Sequence, residues 1–183
     1  LRAKAQLALR DDLVVAAACG EEGMAALQAA AVSIAPDPRH AQLGQRAIVP
    51  ASTDLPLDEA AYDAARVTHI VPEFGVDYGA ADVFSTDVNH DLLAMINYRK
   101  GCFVGQEVAS RMHRKGGVRK RTVQVSAVGS LASGAAIEAD DVPLGEMLGT
   151  PGLALVRVDR LEQALSDGKA IRCGELPVSI LLP

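Results

Sequence analysis

Apolar positions along the 183-residue chain change their spacing several times, and each change marks an expected element. Residues 6–10 alternate and are followed, across Asp11-Asp12, by the apolar run 13–19, which predicts a hairpin with a two-residue turn. Residues 21–31 carry Met24, Leu27 and Ala31 on one face and two acids in the first turn, the pattern of a helix. Short strands are expected over 32–35, stopped by Pro36-Asp37-Pro38, and over 46–49, closed by Pro50. Strand, strand, helix, strand in that order suits a ferredoxin-like α+β module whose first elements are missing.

A turn-rich connector leads to a helix expected over 59–68. Asp58 is a suitable N-cap, and Leu57 and Tyr62 stand at the positions of a hydrophobic staple. Pro72 forces an end, because the residue before a proline avoids helical geometry. A polar loop through Asn89-His90-Asp91 follows; such a loop could line a ligand site, although loops of this composition are usually just solvated. Leu92, Leu93, Met95 and Ile96 then lead to Lys100-Gly-Cys-Phe-Val-Gly-Gln-Glu107. A helix is expected over 106–113, with Gly105 as N-cap and Gly116-Gly117 ending it in a left-handed residue. Val104, Val108 and Met112 fall four apart and predict one apolar stripe to pack down; Glu107 and Arg111 are placed for a helical ion pair.

From Thr122 the texture changes. Val123, Val125 and Ala127 alternate with Thr122, Gln124 and Ser126, as in a half-buried strand. Further strands are expected at 136–139, 153–158, 170–173 and 178–182, separated by glycines, with a helical turn or two at 160–165. Short strands at this spacing suggest a small antiparallel β-barrel. The fold class is therefore α+β. The organisation expected is an α+β region over 1–118, divided into a ferredoxin-like portion (1–50) and a cleft with the central motif (51–118), and a barrel over 119–183.

Composition narrows the function. Hydrophobic residues make up 49% and aromatics 3%, with no Trp, so the interior must be built from Ala, Val, Leu and Ile. A net charge of -5 argues against a general nucleic-acid binder. No apolar run reaches the length of a membrane span. The three cysteines, Cys19, Cys102 and Cys173, lie far apart, which suits a reducing compartment and offers neither a zinc site nor a disulfide framework. The four histidines are scattered, and no nucleophile elbow or phosphate-cradling loop is present. Cys102 would sit beside Lys100 near the positive end of a helix, both of which favour negative charge, while Glu107 opposes it. Alone it would read as a buried structural cysteine. The basic run Arg111, Arg114, Lys115, Arg119, Lys120 and Arg121 reads either as a solvated face or as a receiver of carboxylates.

The string KGCFVGQE, with Ser110-Arg111-Met112 and the Gly-Gly-Val-Arg-Lys-Arg run after it, resembles the YgfZ-type tetrahydrofolate-binding proteins of iron–sulfur cluster assembly and repair. Every fixed position of that family's K-G-C-[FY]-x-G-Q-E string is filled. The chain is then expected to be the later part of a longer protein. Residues 66–68 and Phe74-Gly75-Val76-Asp77 also resemble the R-x-E…[YF]-G-x-D pattern of the related glycine-cleavage T-protein, with Thr68 in place of the glutamate that holds the pterin. A hydroxyl cannot accept the paired hydrogen bonds that a carboxylate offers to an aminopyrimidine edge. Cys102-Phe103 stands where the T-protein has Asp-Phe, and both changes point towards the YgfZ group.

The resemblance implies a tetrahydrofolate cofactor in a central cleft and a functional thiol at Cys102, assisted by Lys100. It places Gly101, Phe103, Gly105, Gln106, Glu107, Arg66, Thr68 and Arg114 around the folate. For Arg66 the alternative is a surface arginine paired with Asp63. Implied partners are iron–sulfur apo-enzymes or assembly factors, in the cytoplasm or, in a eukaryote, the mitochondrial matrix. Two other functions stay open: a folate-dependent aminomethyltransferase of the T-protein type, and a module that binds RNA or an acidic protein through the basic run.

Overall fold

A computed structural model describes residues 4–56 and 58–183, apart from the Lys115 side chain. The chain forms two compact units. One holds the residues up to Asp37 together with Ala41–Tyr62; the other holds Pro38–His40 and Asp63–Pro183.

The first unit is a three-stranded antiparallel sheet of β1 (Leu13–Ala18), β2 (Ser33–Pro36) and β3 (Gln45–Pro50), in the order β1-β3-β2. Helix α1 (Glu21–Ala30) joins β1 to β2. Alternation decides which face is covered. Ala47 and Val49 of β3 turn inward and form the core with Leu27 of α1, while Ile48 between them stays exposed. Ala16, Ala18, Ala30 and Ala31 complete this core, and such small side chains let helix and sheet approach closely.

The hairpin expected between residues 6–10 and 13–19 does not form. Residues 6–10 lie outside any strand, and Leu7 and Leu9 are wholly exposed. The partner of β1 is β3, in register from Leu13↔Pro50 to Ala18↔Gln45. Pairing there joins β1 to a face that α1 covers. A strand at 6–10 would gain backbone hydrogen bonds without burying its leucines. The Asp11-Asp12 turn itself is present, braced by a two-pronged Arg10–Asp12 ion pair at 2.7 Å.

Helix α2 (Glu59–Thr68) has the bounds its pattern predicts, and Asp58 Oδ1 caps it by accepting the Ala61 N–H at 2.9 Å. The staple partner Leu57 lies outside the described residues. A long segment of turns then leads to α3 (Gln106–Lys115), which ends at Gly116 in the left-handed conformation.

The rest of the second unit is a closed antiparallel barrel. Its strands β4 (Lys120–Ala127), β5 (Ala136–Ala139), β6 (Val142–Met147), β7 (Leu153–Arg157), β8 (Ile171–Cys173) and β9 (Leu176–Leu181) run β4-β7-β6-β5-β8-β9 and back to β4. Val123, Val125, Ile137, Leu144, Met147 and Val156 fill it. Helix α4 (Val158–Ser166) adds Leu161 and Ala164 to the same core. Strand β6 has no counterpart in the sequence reading. It follows β5 through Asp140-Asp141, a two-residue turn with both φ values positive (47° and 64°). That is the twist a tight hairpin needs, here supplied without the glycine or asparagine that usually announces it.

Candidate functional site

The KGCFVGQE segment is held by short-range bonds on both sides of its cysteine. Asn97 Oδ1 accepts the N–H groups of Arg99 and Lys100 at 3.0 and 3.1 Å, which fixes the entry. The Lys100 ammonium lies 5.2 Å from the centre of the Phe103 ring, a cation–π contact. Phe103 and Gln106 bond reciprocally: the Gln106 N–H donates to Phe103 O at 3.2 Å, and the Phe103 N–H donates to Gln106 Oε1 at 3.3 Å. Gly105, between them, takes a positive φ of 81° and turns the chain into α3. Cys102 stands exposed within this braced loop, as do Lys100 and Gly101, and Glu107 pairs with Arg111 one turn along the helix.

The apolar stripe expected along Val104, Val108 and Met112 does not pack down as one. Met112 is half-buried and its sulfur accepts the Thr86 hydroxyl at 3.6 Å, but Val104 is fully exposed and Val108 is 43% exposed. The helical period does not extend back through Gly105, so Val104 falls off the stripe. Of the basic run, Arg114, Arg119 and Lys120 are exposed. Arg121 instead grips Asp91 in a two-pronged ion pair at 2.5 and 2.8 Å.

The loop Asn89-His90-Asp91 is not solvated. Asn89 is completely buried and donates from Nδ2 to Thr122 O at 2.9 Å, while the Thr122 N–H and hydroxyl both donate to Asp87 O. The loop thus clamps the start of β4. Burial works against charge on Asp91, yet the Arg121 hydrogen bonds and positive charge outweigh it and hold its carboxyl below the usual range. Asp87 has no such clamp, and burial pushes its carboxyl up. The Tyr78 hydroxyl and His90 Nε2 lie 3.0 Å apart, and burial lowers the His90 pKa.

Arg66 is 1% exposed and is no surface residue. Its Nη1 donates to Asp77 Oδ2 at 2.9 Å and Val71 O at 3.1 Å; Nη2 donates to Asp63 Oδ1 at 2.6 Å and Thr150 Oγ1 at 2.8 Å. Nε faces Glu73 Oε2 at 3.3 Å. Burial disfavours its charge, but Asp63 and Asp77 more than compensate and raise its pKa. Asp77 in turn accepts the Glu73 and Thr150 N–H groups at 2.8 and 2.7 Å. The guanidinium therefore knots α2, the 71–77 loop and the turn between β6 and β7. Gly149 in that turn lies against the Val76 carbonyl so closely that a Cβ would come within 2.0 Å of its oxygen. Thr68, two residues on, bonds its hydroxyl to Ala64 O at 2.8 Å on its own helix.

Around these groups the second unit brings together residues to which the sequence reading assigned no site role: Asp77 of the Phe-Gly-x-Asp pattern, Glu73 and Thr150 about Arg66, and Phe84, Asp87 and Arg157 near the end of α3. Asp77 lies in a recognised motif and could have been found from it. Thr150 and Arg157 carry no local signal, since strand register and turn placement bring them there. Among the described residues, no group of three or more His, Cys, Asp or Glu side chains is placed to hold a metal ion. No helix among them is long and apolar enough to cross a membrane.

Residues 119–183 match the family described as CAF17, C-terminal beta-barrel domain, in agreement with the observed barrel. Curated proteins similar to this chain include three described as iron-sulfur cluster assembly factor IBA57 homologs, mitochondrial. The one from Dictyostelium discoideum is 33% identical over 103 residues, 51% of this chain and 25% of that protein. The one from Mycosarcoma maydis is 36% identical over 97 residues, 49% and 24% respectively. The one from Aspergillus fumigatus is 31% identical over 121 residues, 59% and 26%. The chain spans about a quarter of the length of the curated relatives it matches.

Proposed function

We propose that this chain belongs to a protein that assists the maturation or repair of iron–sulfur enzymes, in the manner of the YgfZ-type proteins. Cys102 is its functional thiol. The observation that carries the reading is the exposure of Cys102 in a loop braced on both sides. A packing cysteine is covered; a thiol that meets a partner must be open and held in place. The similarity to iron–sulfur cluster assembly factors supports the same role. Gly101, Phe103, Gly105, Gln106 and Glu107 shape the loop, and Lys100, drawn over Phe103, keeps positive charge on it. The partners are iron–sulfur apo-enzymes or assembly factors. The compartment is the mitochondrial matrix in a eukaryote and the cytoplasm otherwise.

Tetrahydrofolate is the proposed cofactor, and the chain's own residues fit it in part. The exposed cations of the basic run, Arg114 among them, suit the carboxylates of a glutamyl tail. Arg66 is committed to protein groups and holds the wall of the site, whereas the exposed Thr68 hydroxyl donates to Ala64 O and keeps its oxygen to accept from the pterin.

Two measurements test this. Cys102→Ala and Cys102→Ser should each abolish support of a client iron–sulfur enzyme while leaving the melting temperature unchanged. A fully active alanine variant overturns the assignment. Titration with tetrahydrofolate should give saturable binding that Arg114→Glu weakens, more for a polyglutamylated form than for the monoglutamate.

A further inference from the structure

A cavity of about 340 Å³ opens beside the start of the barrel, within the second unit. Its lining combines two kinds of group. Val83, Phe84 and Met112 are apolar; Arg119, Lys120 and Arg157 are cationic.

Strand register explains why the cations converge. In the β4–β7 ladder Lys120 is directly opposite Arg157, so both side chains leave the same face of the sheet. Arg119 precedes Lys120 and holds the ladder's end by accepting the Val158 N–H at its carbonyl. Like charges placed opposite each other repel.

The chain balances these charges only in part. Arg157 forms a two-pronged pair with Asp159 at 2.8 and 2.6 Å. Asp82 also lines the cavity, and its Oδ2 accepts the Gly79 N–H at 2.9 Å. Asp87 is buried in the lining and accepts the Phe84 N–H at 3.2 Å. Among the described residues, no carboxylate forms an ion pair with Arg119 or Lys120. Next to them Phe84 is left 58% exposed, one of only three phenylalanines in the chain. An uncovered aromatic ring beside cations that form no ion pair, although Lys120 attracts the Asp87 charge, suits an aromatic anion in a concave site of this volume.

We propose that this cavity binds an organic anion with a flat apolar body, of the aryl carboxylate class. The ring packs against Phe84 and Met112, and the carboxylate is received by Arg119 and Lys120, with Arg157 adding long-range attraction. Arg119 and Lys120 are among the exposed cations proposed above to suit a glutamyl tail, so this site shares them with the folate reading; Arg114, which the folate titration tests, is not in this lining, and the two tests can fail separately.

The test uses 2-naphthoate, its uncharged analogue 2-naphthamide and inorganic phosphate, each titrated by calorimetry into the 183-residue chain. Naphthoate should bind about tenfold or more tighter than either other probe, since only it satisfies both parts of the lining. Lys120→Gln and Phe84→Ala should each weaken naphthoate at least about fivefold, with cooperative melting retained. Arg119→Gln, at an exposed position, gives a second charge deletion should Lys120→Gln fail to fold. Equal binding of naphthoate and naphthamide overturns the proposal, and so does phosphate binding as tightly as naphthoate. No detectable naphthoate binding at about 10 mM, or unchanged affinity in a folded charge variant, overturns it as well.

Discussion

Arg66 Nη1 lies 2.9 Å from Asp77 Oδ2, and the two side chains are 1% and 0% exposed. A carboxylate removed from water to this degree is tolerable only because its partner and two backbone N–H groups are already in place. Asp63 bonds the same guanidinium at 2.6 Å but is 46% exposed, so water can replace what it supplies.

Deleting the two acids should therefore have unequal effects. Asp77→Ala leaves the Glu73 and Thr150 N–H groups without acceptors and takes from Arg66 its most buried carboxylate, and should cost roughly 3–5 kcal/mol. Asp63→Ala should cost about 1 kcal/mol or less. Urea denaturation of both variants checks the order. Equal losses would mean that Arg66 is held by its environment as a whole and not by Asp77.

How much of this was readable in advance follows the range of the interactions. The bounds of α2 and its Asp58 cap, the turn into α3, and strand β5 all depend on neighbours within a few residues, and each follows from pattern alone. The reading placed Arg66 on the correct helix but could not bury it, because Thr150 reaches it from 84 positions away. Residues 6–10 fail for the same reason: their alternation is real, yet β3, 27 or more residues on from β1, offers β1 the covered face. Cys102 was legible as a motif, whereas its exposure depends on which way the braced loop faces.

Acid should destabilise the protein in two stages. Burial lowers the folded pKa of His90, against the smaller opposing effect of Asp91, and burial together with stacked His40 lowers that of His69. The unfolded chain then takes up protons near pH 6.5 before the folded one does, so stability falls as the pH drops below that value. Asp91, held low by Arg121, stabilises the fold above about pH 3.9, and this contribution is lost as the pH falls through its folded pKa. Asp87 has the opposite sign. Its raised pKa gives a contribution present below about pH 3.9 and lost as the pH rises through the folded value. Thermal melts from pH 7.5 downwards should show a shallower first decline in His90→Gln. Asp91→Asn should lose the second decline, and an unchanged profile in both variants would contradict this ordering.

Gly149→Ala tests the contact between the 71–77 loop and the barrel turn. The added Cβ would meet the Val76 carbonyl oxygen at 2.0 Å, and the next residue donates the Thr150 N–H to Asp77. Backbone on both sides must move, which should cost roughly 1–3 kcal/mol. Hydrogen exchange should place the added exposure at residues 73–77 and 149–151. Exposure confined to α4 or β8 would show that the strain is released elsewhere.

The three cysteines differ in cover, and that difference predicts their chemistry. Cys102 is exposed, Cys19 half-buried and Cys173 buried in the barrel core, where desolvation raises the Cys173 pKa. Attack on a thiol reagent requires both access and a thiolate, so labelling should run Cys102 first, Cys19 second and Cys173 only on unfolding. Substitution should follow the reverse order. Cys102→Ser replaces one solvated group with another and should leave the melting temperature where it is. Cys173→Ser buries a hydroxyl among Ile137, Val156 and their neighbours and should cost about 1–3 kcal/mol. Mass spectrometry of timed labelling, read beside the melting curves, separates the two effects. Labelling of Cys173 at the rate of Cys102 in the folded protein would mean that the barrel opens far more readily than its core packing implies. Slow labelling of Cys102 would mean that the braced loop shields its thiol, and the functional role proposed for it would fall.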